Sequence, residues 1–344
     1  MTTRKLLVSV LMLVSVLFSA CVPAVTLPIP TAIPDIVVPA TVPTAKVIAE
    51  WKVNNPSGVF IGFDSVWIPD HHSFTTTRID PATNKIIAVI KGTGDHSEQA
   101  LAVGNMLWVT GQHDDTTWID PKTNAVTTTV PRVEGHLHSI AYGFNSLWAT
   151  TSDNKLERID PATSQIITSI PLENGYADWN NFVVVTTAVV WVNQLDKREL
   201  IKVDPSTNSV VSKTSWTTLI EEAKAQTTVP AGKGTDFIRI SIARYGGVGS
   251  IAEGLLRIDP NTGTGLTFLP LSSDQVGFGS LTVTDEAVWL GGLAQINRVN
   301  VATNQIDVTY ATDPGMSIQI EIGFGSVWLV DYYKNLVQRL DIAP

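Results

Sequence analysis

Cysteine occurs once in the 344 residues, at Cys21. A lone cysteine excludes a disulfide scaffold and a paired-cysteine metal site. Charged residues make up only 16% of the chain, and their balance is acidic, with a net charge of −9. That balance excludes nucleic acid as the main partner, which would call for a basic surface. Long apolar runs are missing after the first twenty residues, so repeated crossing of a bilayer by helices is excluded. No phosphate-binding loop, EF-hand loop or Gly-x-Ser-x-Gly nucleophile turn is present. What the chain does have is a 44% hydrophobic share, enough for a packed core. Val, Ile, Thr and Trp are abundant, and that mix leans towards β structure.

The single apolar run sits at the start. Arg4 and Lys5 precede Leu6 to Phe18, which has signal-peptide length and is too short for a comfortable span. Leu17-Phe18-Ser19-Ala20-Cys21 follows. Small residues directly before a cysteine resemble the lipobox of bacterial lipoproteins. The resemblance implies cleavage after Ala20 and a lipid on Cys21, which would tether the exported protein to the membrane. Residues 1–20 are then the signal peptide and 21–43 a linker. Prolines at 23, 28, 30, 34, 39 and 43, with no glycine, favour an extended spacer.

The remainder, 44–344, is a repeat. Ile79-Asp80-Pro81, Ile119-Asp120-Pro121, Ile159-Asp160-Pro161, Val203-Asp204-Pro205 and Ile258-Asp259-Pro260 share one pattern, and Val299-Asn300-Val301 and Leu340-Asp341-Ile342 continue it. A tryptophan precedes each by 11–13 residues, at 67, 108, 148, 191, 289 and 328, and the fifth repeat lacks it. After each Asp-Pro comes a turn former: Asn84, Asn124, Ser164, Asn208 and Gly263, with Asn304 in the next repeat. Proline presets φ, Asp accepts from the turn's own backbone, and Asn or Gly tolerates positive φ. Each unit of about 41 residues thus holds a tight hairpin and four short strands, the arithmetic of a propeller blade.

Seven markers predict an all-β fold, a seven-bladed β-propeller of four-stranded blades. The last blade runs out at Pro344 after its third strand, while Thr44–Lys52 matches the fourth strand of other blades. An N-terminal outer strand is therefore expected to close the ring and remove open edges. A monomer is expected. The one long interval, 55 residues, places an insertion around 217–234 in which Leu219–Ala225 can form two helical turns. The tryptophans are expected to fill the wedge between neighbouring blades.

Trp, then Arg-Ile-Asp-Pro-Ala-Thr-Asn-Lys, then a strand rich in Ile and Val is similar to the YVTN/YncE-like seven-bladed propeller family. The resemblance spans 44–344. It implies the scaffold and an extracytoplasmic binding or surface role. The virginiamycin B lyase group is a related branch in which a His and a Glu act with a divalent metal. Its Gly-Pro-Asp-Gly-Asn-Leu-Trp-Phe repeat is absent here and no His/Glu pair maps onto this chain, so lyase activity is not carried over.

Chemistry is expected in two sets of loops at one end of the ring. One set joins the second and third strands of a blade. The other leads into the innermost strand. All six histidines, at 71, 72, 96, 113, 136 and 138, fall in these loops. The candidate ligand-binding residues are Asp70, His72, Asp95, His96, His113, His136, His138, Asp178, Trp179 and Asp236. His136 and His138 are two apart and point the same way in a strand. With His96 they form a candidate site for a divalent metal. The leading expectation is a non-enzymatic module that binds a protein or small ligand on this His- and Asp-rich face. A metal-dependent lyase or hydrolase at the channel mouth is the alternative, and a structural or adhesion protein of the envelope the third.

Overall fold

The computed structural model describes residues 45–94, 99–111, 115–131, 135–173, 181–229, 237–240, 254–271, 275, 281–292, 295–312 and 318–341. Seven antiparallel sheets follow one another along the chain. Six are four-stranded blades, spanning 60–91, 99–131, 137–171, 181–215, 281–311 and 318–341 with Lys46–Lys52. The fifth sheet, over 237–270, has three strands among the described residues. First strands touch in succession from the first sheet to the fourth, those of the sixth and seventh touch, and those of the seventh and first touch, so the sheets form a β-propeller. The fold belongs to the all-β class predicted from the repeat. Among the described residues, no helix is long and apolar enough to cross a membrane.

Closure follows the predicted route. Strand Lys46–Lys52 pairs antiparallel with Leu336–Asp341, from Lys46 opposite Asp341 to Lys52 opposite Leu336. It supplies the outer strand of a sheet whose other three strands come from the C-terminus. The hairpin turns also form as expected. Asn84, Asn124, Ser164, Asn208 and Asn304 have φ of 56°, 56°, 58°, 54° and 56°. Asp80 Oδ1 accepts from Ala82 N, and Asp120, Asp160, Asp204, Asp259 and Asn300 make the same bond in their own turns.

Each tryptophan packs against the following sheet. Trp67 lies with Ala100, Leu107, Val109 and Ile119, and Trp148 with Val183, Val190, Val192 and Ile201. Both are fully buried. Burying such a ring is worth on the order of 4–6 kcal/mol. Its indole N–H is satisfied locally: Trp67, Trp148 and Trp328 donate to the carbonyls of Gly62, Gly143 and Gly323.

An arginine fastens this wedge. Arg78, Arg158 and Arg339 sit directly across the ladder from Trp67, Trp148 and Trp328. Each guanidinium lies over its indole, at 4.6, 5.1 and 5.0 Å from the ring. Its Nε donates to Ser65, Ser146 or Ser326 at 2.9 Å. Its Nη1 crosses to the next sheet. Arg158 donates to Pro205 O at 2.7 Å and Asn208 Oδ1 at 2.9 Å. Arg78 reaches Pro121 O and Asn124 Oδ1 in the same way, and Arg339 reaches Pro81 O and Asn84 Oδ1 across the closing seam. The turn asparagine therefore has two duties, a left-handed turn and an acceptor for its neighbour's arginine.

The exceptions follow the same logic. The second sheet carries Trp118 at the arginine position, and the next turn has Ser164 in place of asparagine. The fourth carries Lys202, which reaches the Asn261 carbonyl, and the next turn has Gly263. Arg298 has no following Asp-Pro turn to meet, and it pairs instead with Asp307 at 2.7 Å.

The inserted helix, α1 (Trp216–Ala225), is longer than the expected two turns. Ser215 caps it by accepting from Thr218 N. Trp216, Leu219, Ile220 and Ala223 form its buried stripe and pack with Trp191, Leu256 and Ile258. Trp216 thus brings an aromatic to the seam that precedes the fifth sheet. Contact is so close that a Cβ on Gly265 would lie 1.9 Å from Leu219 O.

Replacing Arg158 with Met removes the bonds to the next sheet and leaves Asn208 Oδ1 without its donor. Denaturant unfolding should show a loss of about 2–3 kcal/mol. Lys202→Met should cost less than about 1 kcal/mol, since its contact is exposed.

Candidate functional site

Antiparallel strands send the Asp-Pro turns to one end of the ring and the loops between second and third strands to the other. Those loops share a design. The residue three after four of the six tryptophans is polar and buried: Asp70, Thr151, Gln194 and Asp331 are 2%, 0%, 0% and 3% exposed, while Gly111 and Gly292 stand there after Trp108 and Trp289. Asp70 Oδ1 accepts from His72 N and Ser73 N, Thr151 Oγ1 from Lys155 N, and Asp331 Oδ1 from Lys334 N. A residue at positive φ ends each loop: Phe74, Asn154, Arg198 and Asn335. Asp70, expected to meet a ligand, thus holds its own loop.

Gln194 departs from this design. Its loop is closed by Asp196, which accepts from Lys197 N. Both polar atoms of the Gln194 side chain lack a partner among the described residues. Asn181 lies directly opposite on the neighbouring strand, so both side chains share a face of the sheet. Asn181 donates from Nδ2 to Asn154 Oδ1 in the preceding sheet, while its own Oδ1 is also open among the described residues. Two buried amides therefore offer acceptors and a donor at the seam between the third and fourth sheets. A buried amide left open is costly, so such groups usually meet water or a ligand.

The four described histidines fall into two groups. The rings of His136 and His138 are 4.7 Å apart at 73°, so the two do lie together. A bulge between Leu137 and Ser139 accommodates His138. Beside them Gly135 has φ of 63°, and a Cβ there would lie 2.4 Å from Asp153 Oδ1. Burial pushes the Asp153 carboxyl up, but bonds from Lys155 and Thr151 outweigh it and hold its pKa below the usual range.

His71 and His72 form the second group, with rings 4.7 Å apart. Tyr332, from the equivalent loop of the seventh sheet, stands 5.6 Å from His71, and its hydroxyl is 3.4 Å from His72 Nε2. Tyr333 continues the row at 5.2 Å from Tyr332 and is 65% exposed. Sequence reading selected His72 but not Tyr332 or Gln194. Aligning the loops on their tryptophans would have marked both.

Asp95, His96, His113, Asp178, Trp179, Asp236 and Cys21 lie outside the described residues. Among the described residues no three His, Cys, Asp or Glu side chains gather to hold a metal. His96, the third member of the expected metal set, lies outside them.

One carboxylate was not anticipated. Glu321, on the innermost strand of the seventh sheet, accepts from Thr282 Oγ1 at 2.8 Å and from its neighbour's Ile322 N. Desolvation outweighs both bonds and raises its pKa above the ordinary carboxylate value.

Solved structures share this architecture. Virginiamycin B lyase from Staphylococcus aureus superposes with a TM-score of 0.65 at 15% identity, over 87% of this chain and 100% of that one. Kuenenia stuttgartiensis hydrazine synthase gives 0.64 at 12% identity, over 86% and 98%. BamB from Moraxella catarrhalis gives 0.51 at 13%, over 84% and 83%. Likeness at such identities establishes the propeller fold alone. No protein-family model matches the sequence, and no curated protein does.

Two outcomes follow from these polar groups. Gln194→Met removes the open amide at similar volume, so unfolding free energy should rise by about 1 kcal/mol. Glu321→Gln keeps the acceptor and removes the charge. A raised folded pKa makes Glu321 most favourable below the ordinary carboxylate pKa and progressively less so as pH rises through the folded value. The melting temperature of Glu321→Gln, relative to the native chain, should therefore climb from pH 4 to pH 8.

Proposed function

We propose that this protein is a lipid-anchored, extracytoplasmic β-propeller that binds a protein or small ligand on the loops between second and third strands. In this reading the three-stranded fifth sheet completes a seventh blade, and the similarity to YVTN/YncE-like repeats supports that count. The observation that carries the reading is the contrast between the two ends. One end repeats the same turn and arginine clasp. The other varies from sheet to sheet and gathers His71, His72, Tyr332 and Tyr333, with the open amides of Gln194 and Asn181 on the same end. Rigid scaffolds commonly carry function on such variable loops. Half-exposed tyrosines and histidines give large contact area together with hydrogen bonding.

A second reading, a metal-dependent lyase or hydrolase, draws on the His136–His138 pair. A transition metal held there would act as a Lewis acid or activate water. The lyase likeness is one of fold and supplies no residue roles.

A photo-crosslinking side chain placed at Tyr333 in intact cells should capture one discrete adduct, and the same probe at Val211 on the outer rim should not. Changing His72 to Ala should abolish capture without lowering the melting temperature. A zinc content near one per chain, lost on changing His136 and His138 to Ala, would instead favour the metal-dependent reading. Fatty-acid labelling should mark the native chain and not Cys21→Ala.

A further inference from the structure

The outer strands on either side of the closing seam differ from the rest of the rim. Strand Lys46–Lys52 reads KVIAEWK, and strand Lys85–Lys91 reads KIIAVIK. Both begin and end on lysine and carry aliphatics between. Val47, Ile48, Ile86, Ile87 and Val89 are 41–54% exposed. All four lysines are exposed, and none is ion-paired among the described residues. Glu50 is the one acid on the two strands, and it accepts from Gln338. These strands therefore carry four positive charges against one negative, on a chain whose net charge is −9.

The two strands flank the closing seam. Trp51 stacks on Trp328 at 5.5 Å and donates to the Asn84 carbonyl, one residue before Lys85. Arg339 crosses the same seam to Asn84. No other outer strand has this character. Ala125–Pro131, Ile166–Pro171, Gly265–Pro270 and Gln305–Ala311 carry no lysine, and Ser209–Ser215 has only Lys213.

We propose that this pair of strands is a membrane-docking face that lies against an anionic lipid surface. Aliphatic side chains enter the interfacial layer while the lysine stems run along apolar surface and hold their ammonium groups at the headgroups. Two features of the molecule favour lipid over a second copy. A copy of the chain would bring its own lysines against these, whereas anionic headgroups complement them. The polypeptide also enters the propeller at this face, since Lys46 opens the first strand and Cys21 lies upstream of it. A tether attached there raises the local concentration of this face at the bilayer above that of any other. The docking face extends the lipid-anchor reading and leaves the variable loops free.

The test uses Cys21, the sole cysteine. Coupling the full chain through it to a maleimide-headgroup lipid puts the protein on vesicles whether or not the cell lipidates it. Hydrogen exchange is then compared on phosphatidylcholine vesicles with and without phosphatidylglycerol. Amides of 46–52 and 85–91 should exchange several-fold more slowly on the anionic vesicles only, and high salt should reverse the effect. Strand 305–311 should not change. Lys46→Glu/Lys85→Glu/Lys91→Glu should lose the slowing and keep the native melting temperature. Absence of slowing on anionic vesicles would overturn the proposal. So would slowing that survives in the triple variant, or a lipid-free dimer that protects the same strands. Failure of the fatty-acid labelling would sink the natural anchor and leave the coupled-vesicle result standing.

Discussion

The arginine that spans two sheets is the interaction on which the ring depends. A single blade cannot bury its own face. Tryptophan fills the widening wedge to the next sheet, and arginine lies over that indole and reaches the next sheet's turn. Its bonds are charge-assisted and go to a carbonyl and a side-chain amide whose positions are fixed by the turn itself. Each turn is therefore also a receptor for its neighbour. Replacement of the arginine by Trp118 or Lys202 is accompanied by loss of the asparagine one sheet later, as pairwise coupling requires. Arg339 repeats the bond across the chain termini, so closure rests on a side-chain clasp as well as on strand pairing.

This arrangement divides the molecule. The end with the Asp-Pro turns is committed to holding sheets together and is constrained to repeat. The opposite end carries no such duty, and its loops differ in nearly every residue beyond the buried polar anchor. Where the anchor becomes Gln194, the loop finds another cap and a buried amide is released from structural work. The fifth sheet lacks the tryptophan of the repeat, and α1 adds Trp216 and an apolar stripe beside Trp191 in the seam before it.

Much of the scaffold was legible because it is local and periodic. Asp-Pro followed by Asn dictates a turn wherever it occurs, and the Ser65–Pro69 strand and the closing strand after Thr44 could be placed from the period alone. The wedge role of the tryptophans followed from size and spacing. The arginine was visible in the repeat, but its acceptors were not, since they lie on another sheet. The site was legible only as a set of loops. His136 and His138 were paired correctly because they are near neighbours in sequence. His72 and Tyr332, 260 residues apart, meet only because the ring closes.

Sequence by itself determined the turns, the strand count per repeat, the closing strand and the end of the ring at which histidines collect. Those features depend on φ preferences and on spacing, which a chain carries wherever it goes. Tertiary structure alone decided which polar groups are buried and which groups meet. Asp70 and Gln194 occupy equivalent positions, yet one is bound to its own loop and the other opens onto a seam. Glu321 is raised in pKa because burial desolvates it. The lysines of Lys46–Lys52 and Lys85–Lys91 flank one seam because two strands from distant parts of the chain meet across it. Burial and cross-sheet proximity are properties of the assembled ring, and no local pattern encodes them.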